Sequence, residues 1–361
     1  MYKMVFLNGR FLTQRISGVQ RFALELVKAL DKAIGTRICD YRFVLLSPRK
    51  TMHNLKLQNI EHKKIGYLSG HLWEQIELPI YVGTGPLINF YSAPLFKKNH
   101  VVTMHDASVF DMPSAYSKFF VFFYQNAFRI WGRRARNLIT VSDFSRNRLA
   151  YYCNIPADAF SIISGGHEHI IHVKSDDTVF ERYNINRRKP YLLTLGSMNA
   201  NKNFAGFISA LEYLRGIEIA TIIVGGSNSR VFQKKCIPFS PSVKHIGHIS
   251  DGEVRALYEN ALCLVFPSFY EGFGLPPLEA MACGCPVIVS RVASLSEVCG
   301  NAVIYCDPHN PVDIAEKIKQ VIDNPLLRER LRNEGLKHAQ QFTWQKSALQ
   351  LIDLADKMLK Q

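Results

Sequence analysis

The stretch Phe266-Pro-Ser-Phe-Tyr-Glu271-Gly-Phe-Gly-Leu-Pro-Pro-Leu-Glu279-Ala-Met-Ala-Cys-Gly-Cys-Pro286 decides how the chain reads. The apolar run 261–266 in front of it predicts a buried strand. Gly272 and Gly274 bracket Phe273, and glycine lets a backbone turn sharply or approach a ligand closely. Pro276 and Pro277 suit the first turn of a helix, where a missing N–H costs little. That helix runs through Leu278–Ala282, ends at Cys283 and Gly284, and leads through Pro286 into a second strand, Val287–Ser290. The unit is strand, glycine turn, helix, strand. Its helix N-terminus faces the crevice above the carboxyl ends of a parallel sheet, where such sheets bind ligands.

Two carboxylates flank the turn. Glu271 precedes the helix and Glu279 lies inside it, with seven residues between. A carboxylate accepts two hydroxyl protons at once, as a sugar or ribose diol requires. Two carboxylates by themselves are more simply explained by an ordinary capped helix with a surface Glu. The pair, framed by Tyr270, G-F-G and P-P, points instead to a binding site.

In this frame the chain resembles the retaining glycosyltransferases of the GT-B fold, and within them glycosyltransferase family 4, the mannosyl- and rhamnosyltransferase-like group 1. The resemblance covers nearly the whole chain. It implies that Glu279 holds the nucleotide ribose. It also implies that Glu271 and the backbone of Gly272, Phe273, Gly274 and Leu275 hold the donor sugar hydroxyls and phosphate. The fold it implies is α/β, with two doubly wound Rossmann-like domains facing across a cleft: residues 1–172 on the acceptor side, rejoined by a returning helix 344–361, and residues 173–343 binding the nucleotide sugar.

The rest of the chain fits that frame. A strand at Met4–Leu7 is followed by a polar loop and a helix with period-3.6 apolar positions over Gln20–Leu30, capped near Ser17 or Gly18. In the family, the loop at Gly18 faces the donor. Trp73–Leu78 predicts a short helix ended by Pro79, with Trp73 packing in the core. Val101–Met104 predicts a buried strand, so His105 and Asp106 stand at its carboxyl end. A lone His-Asp there is most simply a loop pair satisfied by its own backbone; the family places a His-Asp at this point, toward the donor sugar. The C-terminal half opens with a strand at Tyr191–Leu195, a loop from Gly196 to Asn203, and a helix from Phe204. Lys202 at that helix start offers a point charge to a diphosphate. The family carries an Arg and a Lys in this loop, and Gly196, Lys202 and Asn203 match its donor-contacting positions. The Arg is missing, with Ser197 and Asn201 in its place, and Arg10, Arg15 and Arg21 are candidates to replace it. Catalysis is assigned to Glu271, His105 and Lys202.

Composition bounds the alternatives. The 361 residues are 47% apolar and 20% charged, which suits two cored domains. Met1–Arg10 reads as a short strand rather than a leader, and no apolar run approaches the ~20 residues of a membrane span. The eight cysteines are scattered and read as reduced thiols. No Asp-x-Asp pair or metal-ligand spacing is present. His167-Glu168-His169 and His172 fit no standard helix site and read as linker residues, continuing into a polar linker over 173–189. No cofactor and no metal is expected, the nucleotide sugar being the substrate.

Charge is uneven. Residues 1–175 hold 23 Lys and Arg against 11 Asp and Glu, a net of +12, while the remainder nets +2. A basic half suggests a polyanionic partner. The segment Ser117–Arg136, aromatic at its start and arginine-rich at its end, reads foremost as a core helix with a solvated cationic tip. Its rival is a helix leaning on an anionic inner-membrane surface.

Taken together, the sequence predicts a retaining hexosyltransferase that needs no metal. GDP-mannose is the favoured donor, with UDP-hexose and dTDP-rhamnose open. The acceptor is a lipid-linked saccharide of surface polysaccharide synthesis (O-antigen or capsule). The protein is placed in the cytoplasm or peripherally on the inner membrane. A non-catalytic scaffold of a glycan assembly complex and a same-fold nucleotide-sugar epimerase are the alternatives. Nucleic-acid binding rests on charge alone and is disfavoured.

Overall fold

The structure is a computed structural model and describes residues 3–36, 40–197, 199–226 and 243–360. The chain divides into two compact units. Met1–Ala107, Phe123–Gly166 and Thr343–Gln361 form the first; Ser108–Phe122 and His167–Phe342 form the second.

The first unit is built on β1 (Lys3–Asn8), β2 (Tyr41–Ser47), β3 (Glu61–Lys64), β4 (Leu87–Asn89), β5 (His100–Thr103), β6 (Asn137–Thr140) and β7 (Phe160–Ile162). These pair in parallel in the order β3-β2-β1-β4-β5-β6-β7, with Val5 opposite Phe43 and Val101 opposite Asn137. The inner strands are near-continuous apolar runs because parallel sheets are covered on both faces. Phe6, Val44, Leu46, Trp73, Leu78 and Leu87 form one core cluster. The long helices Gly18–Ile34 and Trp344–Lys360 pack on each other through such residues as Phe22 and Trp344, whose rings meet edge to face at 5.8 Å. Strand order reverses between β1 and β4, which creates a topological switch point at their carboxyl ends.

The second unit has β8 (Tyr191–Leu195), β9 (Ala220–Val224), β10 (Val243–His245), β11 (Cys263–Phe266), β12 (Val287–Ser290) and β13 (Ile304–Cys306), all parallel, in the order β10-β9-β8-β11-β12-β13. Its switch point lies between β8 and β11. The loops after these two neighbouring strands are 196–203 and 267–274, so the topology alone brings Lys202 toward Glu271. The Gly225-Gly226 turn after β9 has a packing cause: a Cβ on Gly225 would lie 1.8 Å from the Gly196 carbonyl oxygen, and its φ is +138°.

Several expectations need correction. The helical stretch at Trp73 does not end at Pro79. It passes from Gly70–Leu72 through a π-turn at Trp73–Glu77 into Leu78–Val82, with Pro79 in the first turn of that last piece. The π-turn re-registers the hydrogen bonds ahead of the proline, so the absent N–H breaks nothing. Trp73 is fully buried and donates its indole N–H to the Ile65 carbonyl at 3.0 Å. The boundary placed at 172/173 falls at Gly166/His167, and 173–189 is no linker. Within it Thr178–Arg182 is helical, and Val179 and Phe180 are buried in the second unit's core beside Ile170. Apolar anchors between polar neighbours, three residues at a time, gave no periodic signal. Residues Ser108–Phe122 also group with the second unit rather than the first.

The Lys118–Arg134 helix buries Ala127, Phe128 and Trp131, while Phe119 and Phe122 near its start are exposed. Among the described residues no helix is long and apolar enough to cross a membrane. The described cysteines are free, and burial pushes the Cys263 thiol up to about 12.

Candidate active site

The carboxyl edge of the second unit's sheet carries the acidic pair. β11 ends at Phe266, and the chain turns through Pro267–Gly274 before the helix Leu275–Ala282 begins. Gly274 caps that helix at φ +101°, and a Cβ there would come within 2.7 Å of Leu295 Cδ2, so glycine is required by both backbone and packing. Because Pro276 and Pro277 bring no N–H, the Leu275 amide is the main donor at the helix start, a narrower anion-binding edge than the helix N-terminus first implies.

Glu271 is fixed twice. Ser294 Oγ donates to its carbonyl at 2.9 Å, and Lys202 Nζ donates to its Oε1 at 2.6 Å. The Lys202 and Glu271 side chains are 17% and 12% exposed. The Lys202 ammonium also lies 4.9 Å from the centre of the Phe266 ring. An ammonium has three donors and Glu271 takes one. The pair therefore presents a neutralised carboxylate beside a cation with donors in hand. The loop that carries Lys202 is held by Asn199, whose side chain accepts from the Lys202 amide at 3.2 Å, and by Asn201, whose carbonyl accepts from Phe269 N at 2.8 Å. Met198 of the same loop lies outside the described residues. Asn201 Oδ1 and Ser268 Oγ are buried with no hydrogen-bond partner among the described residues, both at this edge of the sheet.

Asn203 has a structural duty in the helix start. It sits at φ +53°, its Oδ1 accepts from Gly206 N as helix cap, and its Nδ2 donates to the Pro308 carbonyl at 2.7 Å. Those bonds use one donor and one acceptor of its side-chain amide and fix it at the helix start. Gly196 opens the Lys202 loop beside the lysine stem: a Cβ there would meet Lys202 Cγ at 3.2 Å.

Glu279, 9% exposed, has both oxygens engaged. His169 Nε2 donates to Oε1 at 2.8 Å, and the Tyr258 hydroxyl donates to Oε2 at 3.1 Å. Burial, then the neighbouring carboxylate, hold the Tyr258 phenol well above its ordinary range, so it stays protonated as a donor. His169, read from sequence as a linker residue, thus belongs to the site. His167 is likewise committed, its Nδ1–H on the Phe342 carbonyl at 2.8 Å. Phe342 in turn meets the Phe273 ring edge to face at 5.7 Å. Nothing in the spacing of Tyr258 and Ser294 marks them in the sequence, and Asn201 is marked there only as standing where the family's Arg is expected; the H-E-H triplet is the one available signal for His169.

Gly18, His105 and Asp106 lie on the first unit. Gly18 begins its helix after an N-cap Ser17 that makes no capping bond, and a Cβ there would meet nothing within 4 Å. His105 follows β5. Its Nε2–H donates to the Phe90 carbonyl at 2.8 Å, which leaves Nδ1 as the acceptor, and its ring packs edge to face on Phe22, from the Gly18 helix, at 4.9 Å. Burial depresses His105 to about 4, against a smaller opposite pull from the Phe90 carbonyl, so it is neutral near pH 7. A neutral imidazole can accept a proton or hydrogen bond but brings no charge. Asp106 beside it is half-buried.

Arg10 cannot replace the missing arginine. It is 4% exposed, with Nη1 on Glu74 Oε2 at 2.7 Å and on Ser92 Oγ at 2.8 Å. Glu74, fully buried, also accepts from Asn8 Nδ2 at 3.0 Å and Ser92 Oγ at 2.7 Å. Asn8 further donates to Asn89 at 3.0 Å. The first unit's switch point is thus filled by its own polar network. Arg21 pairs with Glu25 within its helix, and Arg15 is exposed. Among the described residues, no group of three or more His, Cys, Asp and Glu is placed to hold a metal.

The chain is similar in sequence and in fold to known proteins. Residues 175–338 fit the sequence profile of glycosyl transferases group 1. The chain is 29% identical to an O-antigen chain mannosyltransferase B of Escherichia coli, over 94% of this chain and 95% of that one. In fold it is similar to sucrose-phosphate synthase from Thermosynechococcus elongatus, with a TM-score of 0.76 at 17% identity over 99% of both chains. It is also similar to Anabaena HepE solved with UDP-glucose, with a TM-score of 0.72 at 14% identity over 99% of this chain and all of that one. Two Rossmann-like units of GT-B type, the group 1 profile over the acidic pair and a mannosyltransferase relative matched along nearly its whole length make this chain similar to the group 1 glycosyltransferases.

Proposed function

We propose that the chain is a retaining, family 4 mannosyltransferase, moving mannose from GDP-mannose to a hydroxyl of a lipid-linked saccharide in surface polysaccharide synthesis. The observation that carries the reading is the Glu271–Lys202 pair at 2.6 Å at the switch point of the second unit, on the loop that leads into the helix carrying Glu279. Mannose is favoured by the O-antigen mannosyltransferase relative that matches nearly the whole chain.

In this reading Glu279 accepts the ribose hydroxyls, and Glu271 with the Gly272–Leu275 backbone accepts and donates to the sugar and phosphate. The bond from the anomeric carbon to the diphosphate oxygen breaks, and the acceptor oxygen bonds that carbon from the same face. The acceptor's proton passes to the departing diphosphate. Lys202 and the Leu275 amide meet the charge that grows on the leaving group, an electrostatic role that calls for no metal. On the first unit, His105, neutral and with Nδ1 as acceptor, is able to take a hydrogen bond from a hydroxyl. Docking on an anionic cytoplasmic membrane face fits the +12 of residues 1–175 and the exposed Phe119 and Phe122.

The test is a panel of GDP-mannose, UDP-hexoses and dTDP-rhamnose, each with a lipid-linked saccharide extract, read by mass spectrometry and by NMR of the new linkage. Consumption of GDP-mannose with GDP release and an α-linked product, lost in Glu271→Ala and Lys202→Ala, is the expected result. A β-linked product, or turnover indifferent to both substitutions, overturns the reading. Turnover of another donor moves the assignment to that sugar.

A further inference from the structure

We infer that His169 is a positioning residue that sets the ribose selectivity of this enzyme by fixing the carboxylate of Glu279. The inference rests on the reading that Glu279 receives the ribose. A carboxylate offers about four acceptor sites, two on each oxygen. His169 takes one on Oε1 and Tyr258 takes one on Oε2. One site per oxygen is left, at a spacing and angle the protein dictates. Two hydroxyl donors held side by side, the vicinal 2′- and 3′-hydroxyls of a ribose, match that pair of acceptors.

The arrangement is rigid where it needs to be. The His169 side chain is 3% exposed. It projects from the short helix Glu168–His172, which Ile170 anchors in the core. Arg255, on the helix that also carries Tyr258, donates to the carbonyl oxygens of Ile171 and of Val173, the latter at 2.8 Å, and so clamps the end of that short helix. His167 ties its start to Phe342. A carboxylate at this depth, left with Tyr258 alone, would be free to rotate about its last bond and would lose much of its desolvation compensation. Selective recognition depends on acceptors that are held in place before the ligand arrives, because a buried hydroxyl acceptor left unpaired is what rejects the analogue lacking that hydroxyl.

The experiment measures binding of GDP, 2′-deoxy-GDP, UDP and 2′-deoxy-UDP by titration calorimetry, with thermal melts alongside. The proteins are the full chain and its His169→Gln, His169→Leu and Glu279→Gln variants. The parent should prefer the ribonucleotide that binds by about tenfold or more, as one hydrogen bond to a charged group is worth. His169→Leu should cut that preference to about twofold. His169→Gln, whose side-chain amide reaches the same oxygen as Nε2, should keep most of it, a rescue that loss of general packing does not give. Should the leucine variant fail to fold, His169→Asn, polar but too short to reach Glu279, takes its place. A parent-like ratio in His169→Leu or its stand-in, with the ratio lost in Glu279→Gln, overturns the role of His169 alone. A ratio untouched in Glu279→Gln overturns the ribose reading itself, and this inference with it.

Discussion

Replacing Lys202 with Met removes the ammonium 2.6 Å from Glu271 Oε1 and leaves the carboxylate at 12% exposure with no cation beside it. Losing one partner of a fully buried pair costs about 3–5 kcal/mol, while an exposed pair is worth about 0–1 kcal/mol. This pair lies between, near the buried end, so about 2 kcal/mol of destabilisation is expected for the single variant. For a unit of this size that is a melting shift of roughly 4–8 °C. Glu271→Gln alone should cost a similar amount, since it strands the cation. The double variant, Lys202→Met with Glu271→Gln, strands no charge and should recover most of the loss. The coupling in a double-mutant cycle should then be about 1.5 kcal/mol or more. Urea denaturation of the four proteins measures it, and donor turnover is measured on the same samples. The double variant should be nearly as stable as the parent yet inactive, which separates the pair's structural part from its part in catalysis. Additive stability effects, with coupling under about 0.5 kcal/mol, would refute the ion-pair argument. Turnover retained in the restored double variant would refute the electrostatic role.

Glu74→Gln should be among the most damaging single changes outside the acidic pair, at about 3–5 kcal/mol by denaturation, because it leaves the buried Arg10 guanidinium uncompensated; a loss under 1 kcal/mol would contradict the buried network. Acid should also act through His100 and His105, both depressed to about 4, His100 by burial and then by Lys97, His105 by burial. A depressed histidine favours the folded state above its unfolded pKa and loses that contribution as pH falls from about 6.5 to about 4, on the order of 3 kcal/mol for each group. His100 has no ring partner among the described residues, so His100→Leu should flatten part of this acid dependence without weakening the protein at pH 7.5; an unchanged pH profile of urea midpoints would count against the assignment.

Strands and the acidic frame were legible because their signals are local. β8 at Tyr191–Leu195 and β12 at Val287–Ser290 fall where unbroken apolar runs between turn residues place them. The helix Asp251–Asn260 likewise opens on a local signal, with Ser250 and Glu253 closing a capping box. Less legible were the short strands β3, with the polar sequence Glu-His-Lys-Lys, and β13, three residues long, because each is defined by a neighbour and not by its own pattern. The linker reading failed for the same reason: Ile170, Val179 and Phe180 are core residues spaced too sparsely to announce a helix.

By itself the sequence determined that a glycine-turned loop would carry Glu271 and Glu279 around a helix start, since turn, proline and strand signals act over a few neighbouring residues. It also determined that a lysine would open the helix after another strand. Only the tertiary structure decided which partners those groups have. The reversal of strand order between β8 and β11 sets Lys202 against Glu271 across 69 positions of chain, and His169 reaches Glu279 across 110. The same long-range packing closes Arg10 into a network with Glu74 and ties Asn203 to the Pro308 carbonyl. Hydrogen bonds and ion pairs are satisfied by whatever the fold brings within about 3 Å, and that distance is set by topology, which no local spacing encodes.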